Sequence, residues 1–267
     1  MISVIIPIYN RKDNLRLVLA ALERQTYKDF EVVVSDDGST DDPEQVLREF
    51  DTLLDLKFVS QLHRGYRLSK VRNNGVEFAT GFALLFDDSD VMLNQYALEH
   101  YKNIFEANPT IIIGGRYDWL PPIREYELGQ ELVGIVGLDP RCGIPGFWDD
   151  SEAGLRTRYC LDLYGGNQLI PRDVYEMLGG YDENMVGHGG EDAEFGIRAQ
   201  KAGVRALFSQ KVIGWHLYHH RDQQKNEEEV ARNIEYIEKK HDLAELGIVR
   251  GKAGQLPLVY EEVEDHV

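Results

Sequence analysis

The chain has 267 residues, 43% of them hydrophobic, and a formal net charge of −17. That length and apolar content support one large folded domain and exclude a wholly disordered chain. The negative balance argues against broad attraction to nucleic-acid phosphates or anionic lipid, so a phosphate-bearing substrate needs local help, such as a metal ion.

In chain order, the apolar run Ile2 to Ile8 reads as a buried strand, followed by a helix near Asp13 to Gln25 and a strand from Phe30 to Ser35. A short helix follows near Pro43 to Phe50, then a strand near Lys57 to Ser60, a helix from Leu68 to Ala79 and the strand Phe82 to Phe86. This βαβ alternation predicts an α/β fold with a mostly parallel sheet covered by helices on both faces. From Ile111 to Tyr164, prolines, glycines and aromatics break the pattern into strand pieces and long loops. A strand at Gln168 to Ile170 and helices near Arg172 to Leu178, Glu191 to Ala202 and Asn226 to Lys240 come next. In the last helix Val230, Ile234 and Ile237 share one face, which is expected to pack on the core. We divide the chain into one domain, 1–241, with halves 1–93 and 94–241, and an acidic tail, 242–267.

Two cysteines, Cys142 and Cys160, are too few for a disulfide framework and point to a reducing, cytoplasmic compartment, with one bridge between them left open. The N-terminal MISVIIPIYN has no basic leader before its apolar run and is read as a strand rather than a signal peptide. No run approaches ~18 consecutive apolar residues, so no transmembrane helix is expected. Peripheral membrane contact through a lipid-linked acceptor stays open, as does the oligomeric state.

Four strings carry chemistry. VVVSDDGSTDD ends a buried strand in Asp36 and Asp37, where open α/β sheets bind ligands; Asp, Gly and Ser also form ordinary turns there. FDDSDV clusters Asp87, Asp88 and Asp90, carboxylates that repel one another unless a cation sits among them; a solvated acidic loop is the plainer account. Oxygen ligands of this kind suit Mn²⁺ or Mg²⁺, which would offset charge on a departing diphosphate. HGGEDAEFGIRAQKAG places Glu191 and Asp192 in the first turn of a helix, where the dipole favours anions and where acidic residues are also ordinary. WHLYHHRD sets His216 and His219 three apart, a spacing at which imidazoles can share a metal.

Together these strings resemble an inverting nucleotide-sugar glycosyltransferase of the GT-A fold, family 2, over roughly residues 2 to 93. VIIPIYNR is similar to that family's opening strand, SDDGSTD to its uracil and ribose site, KVRNNG to its arginine and asparagine element, and DDSD to its DXD motif. The second half resembles the part shared by beta-1,4-galactosyltransferases and bacterial chondroitin polymerases, through YGGNQLI, GGYDENMVGHGGEDAEFGIR and WHLYHHRD. The resemblance implies that Asp37 pairs with the nucleobase, that Pro7 and Tyr9 flank it, and that Asp36 or a neighbour reaches the ribose. It implies that Arg72 reaches the base or a phosphate and that Gly166 allows close approach of the donor sugar.

It further implies a metal shell of Asp88, Asp90, His216 and His219, with Asp87 behind it or on the ribose. His216 stands where the galactosyltransferases carry methionine, and His188 where they carry an acceptor-stacking tryptophan. Asp192 would be the catalytic base, with Glu191 contacting acceptor or donor sugar. The aromatic-rich segment Arg116 to Tyr159, with Trp119, Tyr126, Phe147, Trp148 and Tyr159, is expected either to meet a glycan or lipid-linked acceptor or to fill core. The implied activity moves a hexose-type sugar from a UDP-sugar to a hydroxyl. A sugar nucleotidyltransferase would carry a glycine-rich basic loop after the first strand, and PIYNRKDN has no glycine. A silent sugar-binding module would have lost a chemical group, and a nucleic-acid binder needs a basic patch that is lacking here.

Overall fold

The computed structural model describes residues 1–120, 137, 139, 155–158, 164–218, 223–244, 248–250 and 258–260. Strand β1 (Ile2–Ile8) is buried along its whole length, because an almost unbroken apolar run has no polar face to offer water and must be covered on both sides. Ile2, Val4, Ile6 and Ile8 enter one core layer and Ile5 the other. β2 (Phe30–Asp36) pairs with β1 in parallel and β3 (Leu56–Ser60) with β2, while β4 (Ala83–Asp87) pairs on the other side of β1. Parallel neighbours need crossovers, and α1 (Lys12–Glu23), α2 (Pro43–Phe50) and α3 (Leu68–Phe78) supply them. α1 buries Leu15, Val18, Leu19 and Leu22, the i, i+3, i+4, i+7 stripe of an amphipathic helix, in the first layer. α2 begins where Asp42 Oδ1 accepts from Gln45 N at 3.2 Å and Pro43 takes the first helical position.

The second half contains β5 (Val91–Leu93), α4 (Ala97–Ala107), β6 (Ile112–Trp119), β7 (Leu155–Arg158), β8 (Asn167–Pro171), α5 (Arg172–Leu178), α6 (Glu191–Lys201), β9 (Ala206–His216) and α7 (Gln223–Lys240). The sheet runs β3-β2-β1-β4-β8-β6-β9-β5, with β7 also on β9. β8 enters antiparallel between β4 and β6, so strand directions mix beyond β4. α5 and α6 cover the face that α3 covers: Val174, Tyr175, Phe195 and Ala199 join Ile5, Val76 and Phe86. α7 packs as its apolar stripe predicts, with Ile234 and Ile237 against Ile197 and Met185.

The segment 242–267, expected as an acidic tail, contributes two side chains to the core. Leu243 and Ile248 are buried with Ile237, and β10 (Ile248–Arg250) pairs antiparallel with β11 (Leu258–Tyr260). Burial of those apolar side chains outweighs the acidic composition around them. Residues 261–267 lie outside the described residues, as do Cys142 and Cys160. Among the described residues no helix is long and apolar enough to cross a membrane.

Candidate active site

The parallel strands β1, β2 and β4 end on one edge of the sheet, and their ends carry the first two acidic strings. Asp36 closes β2, and its carboxylate accepts from Gly38 N at 3.1 Å, Ser39 N at 3.0 Å and Ser60 Oγ at 2.8 Å. Those contacts make Asp36 the organiser of the turn that presents Asp37. Asp37 Oδ1 accepts from Gln61 Nε2, and Oδ2 faces His63 Nδ1 at 3.0 Å. Tyr9, just past β1, stacks flat on His63 with ring centroids 4.0 Å apart. Pro7 lies inside β1, paired with Ser35.

Arg72 of α3 is 1% exposed. Its Nη2 donates to Asp88 Oδ1 at 3.0 Å and its Nη1 to Glu191 Oε1 at 3.1 Å, with the guanidinium over the Tyr181 ring. One cation thus ties the FDDSDV string to the start of α6, which lies 119 residues beyond Arg72 in the chain. Glu191 opens α6 behind Gly190, whose φ of 95° lets the chain turn into the helix. Asp192 Oδ1 accepts from Ala193 N at 2.8 Å and Oδ2 from Gly165 N at 3.3 Å. Gly166 O accepts from Asp88 N at 3.1 Å, and a Cβ on Gly166 would lie 2.3 Å from Asp88 Oδ2 and 2.6 Å from the Tyr117 hydroxyl. The two glycines are therefore required by close approach of Arg72, Asp88 and Tyr117.

Asp90 holds the other flank. Its Oδ2 is 3.5 Å from Arg11 Nη1 and its Oδ1 is 3.7 Å from His216 Nε2. His216 ends β9 opposite Val91 of β5, and its ring lies 4.3 Å from that of Trp119. His219 lies outside the described residues, as do Tyr126, Phe147, Trp148 and Tyr159. Among the described residues no group of three or more His, Cys, Asp and Glu side chains is gathered as a metal-ligand set; Asp88 turns one oxygen to Arg72 instead.

The electrostatics follow from crowding. Asp88, Glu191 and Asp192 face the Arg72 guanidinium and Asp90 that of Arg11, while Asp87 lies beside Asp88 and Asp90. Burial raises the Asp88 carboxyl, Arg72 pulls it partly back, and Asp90 adds to the rise. Burial lifts Asp87 well above the usual carboxylate range, with Asp88 and Asp90 adding to it, and neither Asp87 oxygen has a hydrogen-bond partner among the described residues. Burial and the adjacent Asp192 push Glu191 up to about 7 against the pull of Arg72. Crowded carboxylate oxygens are the donor type that a divalent cation takes.

Sequence reasoning missed Gln61, His63, Arg11, Tyr117 and Tyr181. Nothing in SQLHRG marks a recognition element, and Tyr117 sits in a segment whose aromatics were assigned only collectively.

The profile described as "Glycosyl transferase family 2" matches residues 3–179, two thirds of the chain. This chain belongs to glycosyl transferase family 2. A second profile, "N-terminal domain of galactosyltransferase", matches residues 152–221 of the family 2 chain. Validoxylamine A glucosyltransferase of Streptomyces hygroscopicus subsp. jinggangensis is 31% identical over 260 residues, covering 90% of this chain and 61% of that protein. Chondroitin synthase of Escherichia coli is 29% identical, over 82% of this chain and 34% of its own length. The family 2 chain thus spans about three fifths of the first relative and one third of the second. S. aureus TarS 1–349 in complex with UDP-GlcNAc shares the fold at TM-score 0.63 and 20% identity, over 83% of this chain and 59% of that one. The mannosyltransferase PcManGT of Pyrobaculum calidifontis, in complex with GDP-Man and Mn²⁺, shares it at TM-score 0.60 and 21% identity, over 83% and 58%. The architecture is the GT-A fold.

Proposed function

We propose that this family 2 chain is an inverting, metal-dependent transferase that moves a hexose-type sugar from a UDP-sugar to a hydroxyl of a glycan or lipid-linked acceptor. The observation that carries the reading is the double ion pair of Arg72, which sets Asp88, on the diphosphate side, next to Glu191 and hence Asp192, on the acceptor side. Chemistry at an anomeric carbon needs both ends in one place.

In this reading Asp192 accepts the proton of the acceptor hydroxyl as that oxygen attacks the anomeric carbon, and single displacement inverts the configuration. Glu191, raised by burial and by Asp192 against the pull of Arg72, contacts a hydroxyl of the acceptor or donor sugar. Asp88 through Oδ2, Asp90 and His216 would hold Mn²⁺ or Mg²⁺ together with His219. Such an ion supplies stabilisation of charge on the departing diphosphate. The Mn²⁺ in the PcManGT complex supports the choice. Asp37 and Tyr9 form the base subsite, supported by their place beyond the ends of β2 and β1. The low cysteine count supports a cytoplasmic setting.

The test is release of free nucleotide from UDP-, GDP- and dTDP-sugars by the purified chain, with and without Mn²⁺. Metal-dependent turnover of one donor is expected. Asp192→Asn should bind that donor as the parent does and lose transfer by about 100-fold or more; retained turnover moves the base role to Glu191.

A further inference from the structure

Asp37 is 5% exposed, and its two carboxylate oxygens meet two different donors. Oδ1 takes the side-chain amide of Gln61, and Oδ2 lies 3.0 Å from His63 Nδ1. Asn74 of α3 donates from Nδ2 to Gln61 Oε1 at 2.8 Å. A carboxylate only accepts and an amide NH₂ only donates, so Asn74 and Asp37 between them fix which way the Gln61 amide points. Gln61 cannot turn away from Oδ1 without leaving Asn74 unpaired.

The backbone holds this arrangement as well. Gln61 N donates to Asp36 O at 3.0 Å. At Gly38, with φ of +75°, a Cβ would stand 2.6 Å from His63 N and 2.8 Å from Gln61 O, so the turn after β2 and the chain after β3 meet backbone to backbone. His63 is delivered onto Tyr9 with its ring plane 9° from that of the tyrosine. The result is a flat nitrogen heterocycle, stacked on an aromatic face, with one ring nitrogen against one carboxylate oxygen. A nucleobase bound between Tyr9 and Asp37 would make the same contacts.

We infer that Gln61, oriented by Asn74, makes the base subsite selective for a base whose ring N–H has no amino donor beside it, uracil or thymine, over guanine, and that His63 fills the base position until the nucleotide displaces it. This rests on the reading of Asp37 as the base contact. Uracil and thymine each present one N3–H and need only Oδ2. Guanine presents a fork of N1–H and N2–H that uses both carboxylate oxygens. With Oδ1 consumed by Gln61, one arm of the fork is desolvated without an acceptor, which is the kind of mismatch that discriminates strongly. His63 lowers apparent affinity for every base alike, because only the displaced form is competent to bind.

Calorimetry with UDP, dTDP and GDP in the presence of Mn²⁺ tests this on the full chain and on Gln61→Leu, Asn74→Ala and His63→Ala. The parent chain should bind UDP and dTDP at least about tenfold more tightly than GDP. Gln61→Leu should narrow that ratio by freeing Oδ1, and Asn74→Ala should narrow it less, by releasing the amide without removing it. His63→Ala should tighten UDP by about threefold or more with the UDP-to-GDP ratio unchanged. Equal affinity of the parent for UDP and GDP, or a ratio that neither Gln61→Leu nor Asn74→Ala moves, overturns the selection. Weaker UDP binding by His63→Ala overturns its role as an occupant of the base position. Failure of the parent to bind any of the three, with or without Mn²⁺, overturns the transferase reading itself.

Discussion

Arg72 is among the largest fully buried side chains of the described residues, and Asp88 and Glu191 of the candidate site are both paired with it. A guanidinium suits this place because its planar fork reaches two acceptors at once, which an ammonium on a flexible stem does less well. Removing it leaves the buried Glu191 and the half-buried Asp88 in each other's field. Arg72→Leu is therefore expected to destabilise the fold by about 3–5 kcal/mol, as loss of one member of a buried ion pair does. Urea unfolding would show this as a lower midpoint at unchanged slope, and a loss under about 1 kcal/mol would mean that water screens the pair. The carboxylates themselves stood out in the sequence, because clustered acids at a strand end or a helix start are a local signal. What Arg72, Gln61 and His63 contact was not legible, since each meets a group brought in by another segment.

Among the elements, β8 decides the geometry of the site. Its antiparallel insertion beside β4 pairs Asn167 with Asp87 and lays Gly165 and Gly166 across Arg72 and Asp88. Gly166→Ala should cost about 1–3 kcal/mol of stability, since its Cβ must push aside Asp88 Oδ2 and the Tyr117 hydroxyl. Transfer should fall much further, roughly 100-fold, because the displaced groups belong to the site. A variant with native circular dichroism and undiminished transfer would show that the close approach is incidental. The helices α2 and α5 have the bounds their sequences predict, Pro43 to Phe50 and Arg172 to Leu178. α4 and β9 were not read. α4 does bury Ala97, Leu98, Tyr101 and Ile104 at helical spacing. β9 carries Ser209, Gln210 and Lys211 in its middle, where its register against β6 shifts, so alternation is broken. Its two ends also serve different partners, β7 and then β5.

At the scale of the molecule, Glu31 ties together the end of the sheet opposite the site. It accepts from Ser3 Oγ at 2.6 Å, Thr80 Oγ1 at 2.9 Å and Gly81 N at 3.2 Å, and pairs with Lys57 Nζ at 2.6 Å. Burial opposes its ionisation, yet Lys57, Ser3 and Thr80 outweigh burial and hold the carboxyl down to about 2 from 4.5. A folded-state value below the unfolded one stabilises the protein above pH 4.5, and that contribution is lost as pH falls from 4.5 through about 2. Its size is up to about 3 kcal/mol. Denaturation midpoints of the parent and Glu31→Gln should accordingly differ most above pH 5 and converge toward pH 2; a gap independent of pH would assign the effect to hydrogen bonding alone.

The sequence by itself determined the buried parallel strands, the amphipathic helices that connect them, the acidic strings at strand ends and the Glu191–Asp192 pair at a helix start. All of these depend on periodicity and turn chemistry within a few residues of chain. Only the tertiary structure decided that Arg72 bridges Asp88 and Glu191, that His63 lies on Tyr9, and that Leu243 and Ile248 are core rather than tail. The physical reason is that these contacts follow from the order and direction of strands in the sheet. A run of side chains specifies its own period, but its neighbour is chosen by the packing of the whole chain.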